Sequence, residues 1–351
     1  MAQQDMEQWE ARFEGKLVEI QGVEGSIEAR GGDRMMPNGL GGRALWDEEH
    51  GMYAVRTFEG HVLDMPEENL QDFVRTKPEE GGFDYAWPAA GQEQEFSVRV
   101  ADTIRKKGYV VVQMFEGDEL RRGAMQAAQE RSDWMLPKPE FEEAYLGREA
   151  ASKVSMLRQE ESADSPIEHY NHQVKMMASA LYGMSEDFFG FRPDDYRSGT
   201  MVRMPLQGLD EREMLFPGPL QQSEVDQGVV EGHLDFVQRR RLCIMYLVDN
   251  RGGTIELHPR EDLCQPDVLL PISKDKVIVF RHDLMGYTYK PKGAYDLVVQ
   301  SWFMEEQQKL RIDGLKGDQT ALEEALGVGG CPIDSDRQVH IMAGNCRMAG
   351  N

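Results

Sequence analysis

The 351-residue sequence lacks any run of about 18 apolar residues, the length a helix needs to cross a bilayer. Cysteine is scarce. Cys243, Cys264, Cys331 and Cys346 lie too far apart for a zinc knuckle, and four in a chain of this size do not read as a disulfide framework. A reducing compartment is implied. Positive charge is also short: 39 Lys and Arg stand against 62 Asp and Glu, giving a formal net charge of -23. Nucleic-acid binding draws its affinity from clustered cations, so a phosphate backbone is excluded as the main ligand. An anionic membrane surface is disfavoured for the same reason. There is no G-x-S-x-G, no Walker loop and no G-x-G-x-x-G opening a helix, which leaves acyl-hydrolase, NTPase and dinucleotide-binding readings without support. The start, MAQQDMEQWEARFEG, is polar and acidic with no apolar leader, and a cytoplasmic protein is expected.

What is present is enough apolar residue, 40%, to bury one sizeable core and carry small appendages. Residues 16–75 alternate apolar and polar positions between glycine-rich turns, as in KLVEIQGV and GMYAVRTFEGHVLDMPEENL, and read as about five short strands of a small bent barrel. Residues 76–95 are rich in Pro, Gly and Glu and read as a linker. From Phe96 the character changes: FSVRVADTIRKKG has helical spacing and a glycine stop, and the strand-like YVVVQMF follows at once. Residues 118–190 carry apolar residues at three- and four-residue steps, which predicts two or three helices. Beyond them GTMVRMPL, RRLCIMYLV, GTIELHP, VLLPI, KVIVFRH, GYTYK and YDLVVQSWF read as closely spaced strands. The expectation is an α+β chain with a double-layer antiparallel β core and a helical buttress.

The chemistry-bearing candidate is HLD, residues 233–235. Read as a strand, His233 and Asp235 point to one face and aim an imidazole and a carboxylate at one point. A second imidazole from a neighbouring strand would complete a 2-His-1-carboxylate set, which leaves positions of an Fe(II) ion open for cosubstrate and dioxygen. Downstream stand RRLCIMYLV, GGTIELHP, KVIVFRHD and a strand ending in QSWF. In that order the segments resemble the jelly-roll (double-stranded β-helix) core of prolyl-4-hydroxylase-like, Fe(II)- and 2-oxoglutarate-dependent dioxygenases, over roughly residues 97–305. Likewise YAVRTFEGHVLDMPEENL resembles the end of SH3-like small barrels, which are usually interaction or spacer modules. The resemblance implies domains at 1–75 (barrel), 76–95 (linker), 96–305 (jelly roll) and 306–351 (linker and a further segment).

Carried over by residue, the resemblance places His233 and Asp235 on the first two iron ligands and Tyr246 on the tyrosine that holds the cosubstrate's distal carboxylate. Gly252, Gly253, Leu257, His258 and Pro259 fall on a structural segment, where His258 reads as a satisfied histidine. The distal half departs from the family. Its second histidine should fall near Tyr287 or Thr288, and its cosubstrate-anchoring cation falls on Asp296. Two readings stay open. Either His282 is the third ligand and Lys292 pairs with 2-oxoglutarate, with Lys290 and Arg281 in reserve, or Tyr287 fills the ligand corner and iron chemistry is lost. The first implies an oxygenase that hydroxylates a C–H bond of a small-molecule or carrier-protein-bound substrate. The second implies a docking or dimerisation module.

Other signals are plainer. His169 and His172 on a helix read as a solvated face, and Arg239, Arg240 and Arg241 as a strand edge with one arginine paired. The end, VHIMAGNCRMAGN, resembles the opening strand and turn of β-ketoacyl synthase domains in modular polyketide synthases. It implies a downstream ketosynthase and a chain cut from something longer.

Overall fold

The structure is a computed structural model that describes residues 11–157, 165–194 and 199–307. The ketosynthase-like end, Cys331 and Cys346 lie outside the described residues. The fold is mixed α+β with several antiparallel sheets. Leu17–Ile20, Gly41–Asp47, Met52–Thr57, Val62–Met65 and Leu70–Asp72 form a five-stranded sheet around Val18, Ile20, Tyr53, Val55 and Leu63. The alternation read from residues 16–75 is this sheet's pleat, with every second side chain turned into its own core.

The second unit is two sheets face to face. The larger runs Ser152–Met156, Met201–Pro205, Leu297–Met304, Arg240–Asp249, Lys276–Arg281, Tyr109–Gln113 and Tyr85–Ala86, antiparallel except for the last pair. The smaller runs Val268–Pro271, Gly253–Pro259 and Met285–Pro291. Side-chain parity explains the near-continuous apolar central strand, which is buried on both faces. Cys243, Met245 and Leu247 face the space between the sheets, while Leu242, Ile244, Tyr246 and Val248 face the helices Glu93–Lys107, Asp118–Gln129 and Pro166–Tyr182. Glu93–Lys107 starts on acidic residues, ends on Arg105, Lys106 and Lys107, and stops at Gly108 with φ +80°, where a residue bearing Cβ would be strained. No helix among the described residues is long and apolar enough to cross a membrane.

The stretch read as a linker is tied down. Tyr85–Ala86 adds a parallel strand to the large sheet, and Lys276 Nζ donates to the carbonyls of Gly81 and Gly82. Phe58, Phe73, Phe83 and Phe115 pack ring to ring across the seam, with centroids 5.1 to 6.0 Å apart. Arg43 Nη2 donates to Trp87 O at 2.6 Å and Arg56 Nη2 to Phe115 O at 2.8 Å. At Gly60, φ +86°, an added Cβ would lie 2.4 Å from Gly117 Cα, so only glycine lets the two backbones approach.

Candidate functional site: the space between the two sheets

The residues expected to gather around iron are not brought together. HLD lies on a helix, Val229–Arg239, not on a strand. The buried residues Val229, Gly232 and Phe236 recur at helical spacing and seat that helix against the inter-sheet core. Residues two apart on a helix diverge by about 200°, so the expected convergence is lost. His233 stacks on Phe141, centroids 4.0 Å apart and planes at 17°, with its Nδ1 buried and unpartnered. Asp235 instead accepts from Arg239 Nη1, one turn along, at 2.9 Å.

His282 is 8% exposed, and its Nδ1 accepts from Trp302 Nε1 at 3.0 Å. That acceptor role fixes the neutral Nε2–H form of the ring, in keeping with burial that holds its pKa well below the usual histidine value. Among the described residues no group of three His, Cys, Asp or Glu side chains is placed to hold a metal ion. His233, Asp235 and His282 therefore do not fit an Fe(II) centre.

The cosubstrate residues fare likewise. Tyr246 points away from the inter-sheet space: it lies in the helix-side core, edge-on to Tyr170 at 4.9 Å, with its hydroxyl buried and unpartnered. Parity is the reason, since alternate residues of that strand serve opposite cores. Lys292 is exposed, and its backbone N–H donates to Gly252 O at 2.9 Å. Of its reserves, Lys290 pairs with Glu149 at 3.3 Å and Arg281 with Asp283 at 2.6 Å. Asp296 is fully buried, accepting from Arg251 N at 3.2 Å and Tyr289 Oη at 3.5 Å. Burial raises its pKa to about 6, and the nearby Asp249 adds to the rise.

What fills the inter-sheet space is a network the motifs did not disclose. Tyr287 Oη donates to Tyr145 O at 2.8 Å, and Gln300 Nε2 donates to Tyr287 Oη at 3.0 Å and to Tyr145 O at 3.1 Å. Arg203, 1% exposed, adds donors to Tyr287 Oη at 3.4 Å, Gln300 Oε1 at 3.3 Å and Ser152 Oγ at 3.2 Å, and lies 4.4 Å over the Tyr289 ring. Burial pushes the Tyr287 pKa up to about 12, so it stands there as a neutral phenol. The one available signal was a charge inside the apolar strand GTMVRMPL, since a buried arginine needs acceptors for its donors.

His258 is satisfied on both ring nitrogens, Nδ1 by Asp267 at 2.9 Å and Nε2 by Thr288 at 2.8 Å. Of the arginine run, Arg239 pairs with Asp235 and Asp194, and Arg241 with Glu305; Arg240 turns inward to Ala144 O. His169 contacts Glu116 at 3.2 Å.

Burial, with the nearby Arg240 charge adding to it, lowers the His233 pKa to about 4 from 6.5. A histidine depressed in the folded state contributes stability that is complete above the unfolded pKa and is lost as pH falls. Stability should therefore decline from pH 6.5 towards 4 as the unfolded chain takes up protons that His233 refuses. Urea unfolding at stepped pH should show a shallower acid decline in His233→Gln than in the parent; parallel curves would refute the assignment.

No protein-family model and no curated protein matches the chain. Solved structures similar to it include a prolyl hydroxylase from Trichoplax adhaerens in complex with a hypoxia inducible factor oxygen degradation domain peptide fragment, 14% identical, TM-score 0.43, with 61% of this chain and 91% of that chain covered. A prolyl-4-hydroxylase of Pseudomonas putida is 12% identical, TM-score 0.37, covering 60% of this chain and 98% of that one. The non-heme alpha ketoglutarate dependent epimerase SnoN from nogalamycin biosynthesis is 12% identical, TM-score 0.38, covering 60% and 83%. Likenesses this distant assign no chemistry to the chain.

Proposed function

We propose that residues 96–305 are a jelly-roll scaffold without iron chemistry, acting as a docking or dimerisation module, with the preceding SH3-like barrel as a second interaction unit. The observation that carries this reading is the Tyr287 phenol bound to Tyr145 O and Gln300 in the inter-sheet space, while His282 is held by Trp302. A neutral phenol whose proton is already donated to a carbonyl is a poor metal ligand. Fold by itself assigns no activity. On this reading the partner is a biosynthetic synthase, a reading supported by the resemblance of VHIMAGNCRMAGN to ketosynthase domains.

The alternative is the Fe(II)/2-oxoglutarate oxygenase, in which His233, Asp235 and His282 hold the metal and Tyr246 and Lys292 the cosubstrate. Anaerobic titration of the full chain with Fe(II) and 2-oxoglutarate separates the two. The scaffold yields no metal-to-cosubstrate absorption band, and the spectra of the parent and His282→Ala coincide. A stoichiometric band abolished by His282→Ala or Asp235→Ala would restore the oxygenase.

A further inference from the structure

Away from the inter-sheet space, a cavity of about 380 Å³ opens at one end of the large sheet, lined by Met125, Gln129, Asp249, Asn250, Arg251 and Tyr295. Cavities of this size take small molecules, and a few polar groups set among apolar walls fix their orientation. One buried donor here lacks an acceptor, and two charged side chains stand at the cavity without an ion pair among the described residues. Asn250 Oδ1 accepts from Gly252 N at 3.3 Å, yet its Nδ2 is buried with no acceptor. The Arg251 guanidinium lies 5.9 Å over the Tyr295 ring, exposed to solvent and within electrostatic reach of the buried Asp296, and forms no direct ion pair among the described residues. Asp249 Oδ1 accepts from Asn250 N at 2.9 Å, and this carboxylate likewise forms no ion pair among them, even with Arg251 two residues away.

We infer that this cavity binds a free α-amino acid with an apolar or aromatic side chain. Each of these groups then meets a complement. The ligand carboxylate takes donors from the Arg251 fork and Asn250 Nδ2, the ammonium faces Asp249, and the side chain lies on Tyr295 and Met125, which form the cavity's apolar walls. An organic anion alone would leave Asp249 without a cation, and an amine alone would leave Asn250 Nδ2 without an acceptor. Opposite charges that do not pair with each other select a zwitterion over either. The inference goes beyond the scaffold reading and does not depend on the inter-sheet space.

The test is calorimetric titration of the full chain with L-phenylalanine and L-methionine, and with the amide and N-acetyl derivative of each. The free amino acids should bind saturably. Blocking either end should weaken binding by at least about tenfold, the loss expected for one charge-assisted hydrogen bond. Arg251→Gln should erase the preference for the free acid over the amide, and Asp249→Asn the preference for the free amine over the N-acetyl form. Arg251 is exposed and Asp249 half-buried, so both variants should still unfold cooperatively, which the thermal melt of each checks. No binding of either amino acid at millimolar concentration, equal binding of the blocked forms, or variants that bind and discriminate as the parent does would each overturn the inference. None of these outcomes bears on iron, and the Fe(II) titration does not bear on this cavity.

Discussion

Replacing Trp302 by alanine lowers the unfolding free energy by about 3–5 kcal/mol, the range for removing a large buried aromatic. Trp302 is 1% exposed and stands in the inter-sheet core, with Phe236 edge-on at 5.1 Å and Tyr145 at 6.0 Å. Its loss removes those ring contacts and leaves a hole that a β sandwich, stiffened by ladders on both sides, closes poorly. Its Nε1–H is also the donor on which His282 Nδ1 depends. Trp302→Phe separates the two effects: it keeps most of the packing, leaves a buried acceptor unmatched and should cost about 1–3 kcal/mol. Chemical denaturation with a common slope measures both. If Trp302→Ala unfolds at the parent's midpoint, the inter-sheet space is not the packed interior described above.

A second large loss is expected at the other end of the large unit. Arg121 and Asp275, each with 2% of its side chain exposed, form a direct ion pair, and Arg121 also donates to Glu116 O at 2.5 Å. Asp275 sits at φ +56° in the turn before Lys276–Arg281, and its backbone N–H donates to Leu247 O at 2.8 Å. Alanine there would mix backbone strain with loss of charge. Asparagine tolerates the left-handed conformation and removes the charge alone. Asp275→Asn should cost about 3 kcal/mol, the low end for breaking a buried pair, because Arg121 keeps a contact with the half-exposed Asp118. Arg121→Met combined with Asp275→Asn should cost less than the sum of the two single changes, since no buried charge is then left alone. Strict additivity would show that the pair contributes through shape and not charge.

Much of the architecture was legible as pattern. RRLCIMYLV, KVIVFRH and YDLVVQSWF are strands as read, because β-branched and aromatic runs bounded by turn residues admit few alternatives. The site was harder for two physical reasons. His-x-Asp aims two side chains together only if the segment is extended, and the same eleven residues also carry Val229, Gly232 and Phe236 at helical spacing. The three-residue motif lies inside that longer apolar period, and the period decides the local fold. Tyr246 shows the second reason. In a strand buried on both sides hydrophobicity is uniform, so which parity faces which core is not written in the strand itself. By contrast, the departures at Tyr287 and Asp296 were visible as a phenol and an anion where an imidazole and a cation belong. Both side chains are buried: the Tyr287 hydroxyl donates to Tyr145 O and accepts from Gln300 and Arg203, and the Asp296 carboxylate accepts from Arg251 N.

The margins of the large sheet bear on how any companion molecule could approach. At one border, Tyr85–Ala86 offers only two residues of backbone; at the other, Ser152–Met156 is capped in the middle by mutual Met135 and Val154 hydrogen bonds of 2.9 Å. Borders so short or so obstructed give an incoming chain no ladder to extend. Lateral growth of this sheet into ribbons is thereby discouraged.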